Sequence, residues 1–94
     1  MIRSFRSKPL ERYWTKGDKS GLPAEQLKRL NVRLTALDNA TSPEQMDVPG
    51  WRFHALKGQG SGRYAVNVTG NWRLTFAWDG KGADAIDVDH EDYH

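Results

Sequence analysis

The sequence predicts a small α+β fold in which two helices pack on one face of a curved, mainly antiparallel sheet. Apolar residues recur at helical spacing up to about residue 40, and beyond Pro49-Gly50 they alternate with polar residues. Short turns containing glycine separate the alternating segments, which indicates hairpins. We expect the second face of the sheet to remain open.

At the N-terminus, a short strand over residues 1–5 and a first helix are expected. Ser7 and Pro9 are typical of a helix start, and Gly17 is typical of a helix end. Between these signals three apolar residues fall on one helix face: Leu10, Tyr13 and Trp14. The helix is therefore short and amphipathic.

A second helix is predicted from Pro23 to about Ala40. Four leucines repeat along it at helical spacing and form a core stripe: Leu27, Leu30, Leu34 and Leu37. The other face carries Lys28, Arg29 and Arg33, which are either solvated residues or a docking surface. No helical signal continues beyond Thr41.

Four strands are predicted after residue 50, and they begin near Trp51, Tyr64, Trp72 and Ala85. If Trp72 and Phe76 point into the core, the pleat places Arg73 on the opposite face with Thr75. His54 is out of phase with the aromatic residues of its strand, and Lys57 follows it beside a glycine-rich loop. We therefore predict a cationic, concave surface that holds at least one imidazole.

Length and composition fit one domain over residues 1–94. The chain has no cysteine and no apolar run long enough for a membrane span, so we expect a cytoplasmic protein. Its net charge is only +2, but residues 1–35 contain nine Lys or Arg against three acids, whereas residues 79–94 contain six acids. Such asymmetry suggests a partner surface, although solvated helix faces explain most of it.

Cofactor motifs are not convincing. Residues 58–62 resemble a phosphate-binding loop, but a strand follows them where such a loop requires a helix. His90 and His94 lack further ligands at the spacing of a zinc site, and the acids of residues 87–92 lack the spacing of a calcium loop. We expect neither a metal nor another cofactor.

Five segments together resemble the HigB-type toxins of the RelE/ParE superfamily, the toxin halves of bacterial toxin–antitoxin pairs. They are MIRSF at the start, Gly21-Leu22-Pro23-Ala24 with Leu37-Asp38-Asn39-Ala40-Thr41, His54-Ala55-Leu56-Lys57-Gly58, Asn71-Trp72-Arg73-Leu74-Thr75-Phe76, and the closing Glu91-Asp92-Tyr93-His94. The resemblance covers nearly the whole chain. It implies a small helix-covered sheet, in agreement with the pattern of the residues.

The resemblance also implies an activity, a set of site residues and partners. The activity is a metal-independent endoribonuclease that cuts translated mRNA in the decoding site of the 70S ribosome. The implied active-site residues are His54, Lys57, Arg73, Asp92, Tyr93 and His94. The implied partner is a HigA-type helix-turn-helix antitoxin, through which the chain would reach operator DNA only indirectly; no membrane partner is implied.

Two other functions remain open from the sequence. ParE-like toxins of the same superfamily inhibit gyrase, and a non-catalytic binding module could use the same scaffold. Either His54 or His94 could act as the base, with the other as the acid. The last predicted strand is also more acidic than we expect for an RNA-binding face. This acidity concerns substrate affinity and codon preference more than the reaction itself.

Overall fold

Four antiparallel strands form a single sheet in the order β1-β2-β3-β4. The computed structural model describes residues 1–93, apart from the side chain of Gln59. The strands are β1 (His54–Ala55), β2 (Arg63–Thr69), β3 (Trp72–Asp79) and β4 (Asp84–Asp92). Short connections join β2 to β3 and β3 to β4, so the predicted hairpins are confirmed.

The N-terminal residues extend the sheet beyond β4. They make two isolated parallel bridges, Ile2 with Ala85 and Phe5 with Val88. The Arg3 amide donates to the Ala85 carbonyl at 2.8 Å, and the Val88 amide donates to the Ser4 carbonyl at 3.1 Å. The predicted first strand is thus an interrupted edge segment, and it covers backbone groups of β4 that would otherwise lie at an open edge.

Helix α1 (Lys8–Lys16) begins and ends where the sequence predicts. The Ser7 hydroxyl accepts a hydrogen bond from the Leu10 amide at 3.1 Å, which satisfies one of the free donors of the first turn. Gly17 ends the helix in the left-handed region at φ 72°, a conformation that glycine adopts without steric cost. Local capping chemistry therefore determines both ends.

Helix α2 (Leu27–Asn39) begins later than predicted, because Pro23 precedes a 3-10 turn over Ala24–Gln26. Leu30, Leu34 and Leu37 are fully buried, which confirms three positions of the leucine stripe, whereas Leu27 is only partly buried. Within residues 1–93, no helix is long and apolar enough to cross a membrane.

The core lies between the two helices and one face of the sheet. Its buried residues come from every major element and include Leu10, Leu30, Leu34, Leu37, Met46, Val66, Val68, Leu74, Phe76 and Val88. Three aromatic rings stack at one end of this core, with centroid distances of 5.7 Å between Phe53 and Tyr64 and 5.6 Å between Tyr64 and Phe76. Trp72 is only partly buried and stacks on His90 at 4.3 Å. The alternation that predicted this core face is confirmed.

Arg33 contradicts the predicted polar face of α2, because it is only 8% exposed. Its Nε donates to the Asn67 carbonyl at 2.7 Å, and its guanidinium lies 4.7 Å from the centre of the Trp51 ring. The pairing of β2 with β3 is irregular between Asn67 and Thr69. Arg29 donates to the Val68 carbonyl at 3.1 Å. The two arginines thus satisfy carbonyls at a bulge, which helical spacing alone could not reveal.

The strand predicted from Trp51 is shorter than expected. Regular pairing is confined to His54 and Ala55, which lie opposite Ala65 and Tyr64 of β2. Arg52 has φ 54°, in the left-handed region that a residue with a Cβ rarely adopts. This turn of the backbone interrupts the strand before His54.

Candidate active site

A pocket of about 290 Å³ opens on the sheet face opposite the helices. It is lined by Arg6, Leu56, Gly60, Arg63, Arg73 and Glu91. Leu74 and Phe76 point into the core, so the pleat directs Arg73 away from it. Leu56 and Gly60 belong to the β1–β2 connection, which partly covers the face that we expected to be open. The concave part of this face is therefore a pocket with three arginines, and neither His54 nor Lys57, which we predicted on the same surface, is among its lining residues.

Arg63 lines this pocket and is only 8% exposed. Its Nη2 donates to the Thr75 hydroxyl at 2.9 Å and to the Asp87 carbonyl at 2.8 Å. Burial, with the nearby charge of Arg6, lowers the pKa of Arg63, while Glu91 and two aspartates oppose that shift. Arginine nevertheless keeps its charge in proteins, so this is a buried cation held chiefly by neutral oxygen atoms.

Glu91 contacts both Arg73 and Thr75, and Thr75 in turn accepts a hydrogen bond from Arg63. One of its carboxylate oxygens lies 3.6 Å from Nη2 of Arg73, and the other accepts a hydrogen bond from the Thr75 hydroxyl. Register places Glu91 directly opposite Arg73 across β3 and β4. Nη1 of Arg63 and Nε of Arg73 are both buried and have no hydrogen-bond partner within the described part of the chain. The site thus contains donors that its own residues do not satisfy.

Arg73 and Tyr93, two of the predicted active-site residues, lie together. The Arg73 guanidinium stacks over the Tyr93 ring at 4.2 Å from its centre. The Tyr93 amide donates to the Asn71 carbonyl at 3.0 Å, which anchors the end of the chain to the β2–β3 turn. Tyr93 is 50% exposed, so its ring remains accessible beside the arginine pocket. A guanidinium cation and an accessible aromatic ring therefore share one corner of the sheet.

His54 belongs to β1, at the opposite edge of the sheet from β4, and Lys57 follows it in the β1–β2 connection. Both are exposed, as the sequence predicts. Register aligns His54 with Ala65 and, one strand further, with Thr75. Strand spacing then separates the His54 and Thr75 backbones by about 10 Å. Nδ1 of His54 lies 2.8 Å from the Arg52 carbonyl; because a carbonyl only accepts, this nitrogen carries the proton and Nε2 is the basic atom.

Asp92 lies on the other face of β4 from Glu91, the residue that is opposite Arg73. Register places it opposite Trp72, on the strand face that also carries His90. His90 is held by Gln26, whose side-chain oxygen lies 2.8 Å from its Nε2. Burial lowers the pKa of His90, while Asp89 and Asp92 act in the opposite direction. His94, the sixth predicted active-site residue, lies outside the described residues.

A second pocket, of about 460 Å³, lies on the helical side of the molecule. It is lined by Tyr13, Lys19, Leu27, Lys28, Asn31 and Val32. This pocket is the larger one, but it contains none of the predicted active-site residues. Within residues 1–93, no three His, Asp or Glu side chains form a cluster that could hold a metal ion. Of the predicted active-site residues that the structure describes, Arg73 lines the smaller pocket.

Sequence reasoning missed three members of the site: Arg63, Thr75 as an anchor, and Glu91. Arg63 could have been found by extending the β2 alternation one residue before Tyr64, because it is in phase with Ala65 and not with Val66. Glu91 gave no such signal. Its position opposite Arg73 depends on the register of β3 and β4, which shifts between Thr75 and Ala77.

Comparison with known proteins agrees with this architecture. The family model described as the RelE-like toxin of the type II toxin–antitoxin system HigB matches residues 3–94. The chain is also 39% identical over 94 residues to the protein named Endoribonuclease HigB from Proteus vulgaris, and the alignment covers 100% of both chains. Toxins of this kind act as one half of a toxin–antitoxin pair, so an antitoxin is the expected partner. The chain belongs to the HigB-like family of RelE-like toxins from type II toxin–antitoxin systems.

Proposed function

We propose that this toxin is an endoribonuclease that cleaves translated mRNA in the decoding site of the ribosome and so inhibits translation and growth. The observation that carries the proposal is the stacked pair of Arg73 and Tyr93 beside a pocket with three arginines. Arginine binds phosphate with a planar fork of donors, and an aromatic ring stacks an unpaired base. The relative from Proteus vulgaris bears the name endoribonuclease, which supports the same activity here.

His54 is our candidate for the base that removes the proton of the substrate 2′-hydroxyl. Its Nδ1 is held by the Arg52 carbonyl, which leaves Nε2 able to accept a proton. The left-handed backbone of Arg52 positions that carbonyl. Strained backbone is found preferentially at functional sites, so this local geometry favours a catalytic role over an incidental one.

The remaining roles follow from charge and position. Arg73 binds the scissile phosphate and stabilises the charge that develops on it, and the exposed Lys57 adds a second positive charge. Tyr93 stacks a base of the message. His94 donates the proton to the 5′-oxygen. Asp92, two positions earlier in the sequence, orients the imidazole of His94. No cofactor or metal is needed, because the 2′-hydroxyl of the substrate is the nucleophile.

The ribosome supplies what this small site does not. His54, Lys57 and Tyr93 are exposed, and the pocket holds about 290 Å³, too little to enclose more than a small part of a message. Alignment of the substrate can lower a barrier by several kcal/mol, and the decoding site provides that alignment. The site of action is then the cytoplasm. The antitoxin is of the HigA helix-turn-helix type, and it contributes the contacts with operator DNA.

The test is expression from a tightly repressed promoter, followed by mapping of new 5′ ends in cellular RNA. We expect in-frame cuts within translated regions for the parent, and none for His54→Ala or Arg73→Ala at matched protein levels. Lys28→Ala on the exposed face of α2 serves as a charge-matched control and should cut like the parent. DNA damage without RNA cuts would indicate a gyrase poison instead, and growth arrest without either lesion would indicate a binding protein.

A further inference from the structure

The residues that line the arginine pocket carry more positive than negative charge. Its lining includes three arginines and one glutamate. Glu91 forms an ion pair with Arg73 at 3.6 Å, and the hydrogen bonds of Arg63 go to neutral oxygens of Thr75 and Asp87, with the negative charges of Glu91, Asp89 and Asp87 nearby. Two guanidinium nitrogens, on Arg63 and Arg73, are buried without an acceptor in this part of the chain. A buried donor without a partner has lost its hydrogen bonds to water without replacement, so an incoming acceptor is favoured.

The geometry of Arg63 suits a fixed binding group. The residue is 8% exposed and two hydrogen bonds from Nη2 hold its guanidinium in place. A group that is already immobile loses little side-chain entropy when it binds a ligand. The neighbouring Arg6 is exposed at the rim of the same pocket, where it can meet an anion first. Tetrahedral phosphate oxygens match such a cluster, because each can accept from more than one guanidinium.

We propose that Arg63, with Arg6 at the rim, forms a second phosphate subsite that binds the RNA backbone next to the phosphate held by Arg73, and that Glu91 competes with RNA for it. The carboxylate of Glu91 then acts as an internal anion that offsets the charge of the pocket until a backbone phosphate arrives. Identification of the ligand as RNA rests on the proposed function. The presence of an anion subsite does not, because it follows from the charge and the unpartnered donors.

Binding can be measured without cleavage in a His94→Ala background. The probes are inorganic phosphate and a short 2′-O-methyl oligoribonucleotide, which lacks the attacking hydroxyl. Side-chain amide and guanidinium NMR signals report phosphate binding, and fluorescence anisotropy at several salt concentrations reports RNA binding. Far-UV circular dichroism confirms the fold of each variant. Arg12→Gln is the control, because this exposed arginine of α1 lies outside the pocket.

The variants separate the two roles. Arg63→Gln should weaken oligoribonucleotide binding about tenfold and reduce its salt dependence by about one phosphate contact. Glu91→Gln keeps the shape of the side chain and removes its charge, so it should tighten binding of both probes several-fold. Arg12→Gln should change the affinity for either probe less than about twofold, because salt largely screens an exposed charge outside the pocket. If Arg63→Gln fails to fold, Glu91→Gln still tests the subsite.

Each outcome decides between distinct conclusions. Affinities for both probes that are unchanged in Glu91→Gln and in folded Arg63→Gln would overturn the subsite. Tightening for inorganic phosphate but not for the oligoribonucleotide would show an anion site that RNA does not use, and would also reject the proposal. A separate ribosomal cleavage assay with the intact toxin tests the proposed function. Normal cleavage with unaltered binding in the variants would leave that function standing and reject the subsite alone.

Discussion

Replacement of Arg33 by methionine should destabilise the domain by about 2–4 kcal/mol. The change removes a charged hydrogen bond of 2.7 Å to the Asn67 carbonyl, and such bonds contribute about 1.5–3 kcal/mol. It also removes the contact with the Trp51 ring at 4.7 Å, for which about 0.5–2 kcal/mol is typical. Relief from burying a charge offsets part of this sum. A domain of this size has on the order of 5–14 kcal/mol in total, so the loss should be large.

Urea denaturation followed by far-UV circular dichroism measures this effect, in a His94→Ala background to avoid toxicity. Each kcal/mol should also lower the melting temperature by about 4–8 °C. Lys28→Met, on the exposed face of the same helix, is the matched control and should change stability by less than about 0.5 kcal/mol. A cost below about 1 kcal/mol for Arg33→Met, with an unchanged denaturant slope, would refute the idea that Arg33 secures the β2 bulge.

Three further predictions concern the site and its surroundings. Tyr93→Phe should retain most toxicity and Tyr93→Ala should lose it, because stacking needs the ring and not the hydroxyl; growth assays at matched expression decide this. Burial lowers the pKa of His90, so the stability that it contributes is present above its ordinary value of 6.5 and is lost as the pH falls below it. Urea midpoints from pH 8 to pH 5 should therefore fall less in His90→Gln than in the parent, and equal slopes would contradict the assignment. A tag after His94 should reduce cleavage more than a tag before Met1, since it places bulk at the reacting group; equal mRNA cleavage by the two fusions would make His94 a bystander.

The sequence predicted the features that depend on local chemistry. The caps at Ser7 and Gly17 set the ends of α1, because capping involves residues only a few positions apart. Alternation in β3 correctly separated Arg73 from the core for a similar reason, since the pleat is a property of the strand itself.

Features that depend on pairing across the fold could not be predicted in the same way. Arg33 looked solvated because helical spacing contains no information about a bulge in a strand 34 positions away. Glu91 looked like part of an acidic tail, and only the register of β4 against β3 places it opposite Arg73. The shift in that register occurs near Asp87, whose φ of 51° has no signature in its residue type alone. Long-range pairing thus explains both errors.

Part of the acidic character of the β3–β4 hairpin is directed at the N-terminal segment. Asp79 and Asp84 both pair with Arg3, and the hydrogen bond from Arg3 lowers the pKa of Asp79. The terminal amino group lies 3.5 Å from the Asp84 carboxylate. The Ser4 hydroxyl donates to the Asp87 carboxylate at 3.5 Å and accepts a hydrogen bond from the Asp87 amide at 2.8 Å. These contacts lie along the edge where residues 1–6 run beside β4. The opposite end of the same strand presents Glu91 to the arginine pocket, so the charge asymmetry of the sequence resolves into an internally paired edge and a cationic site.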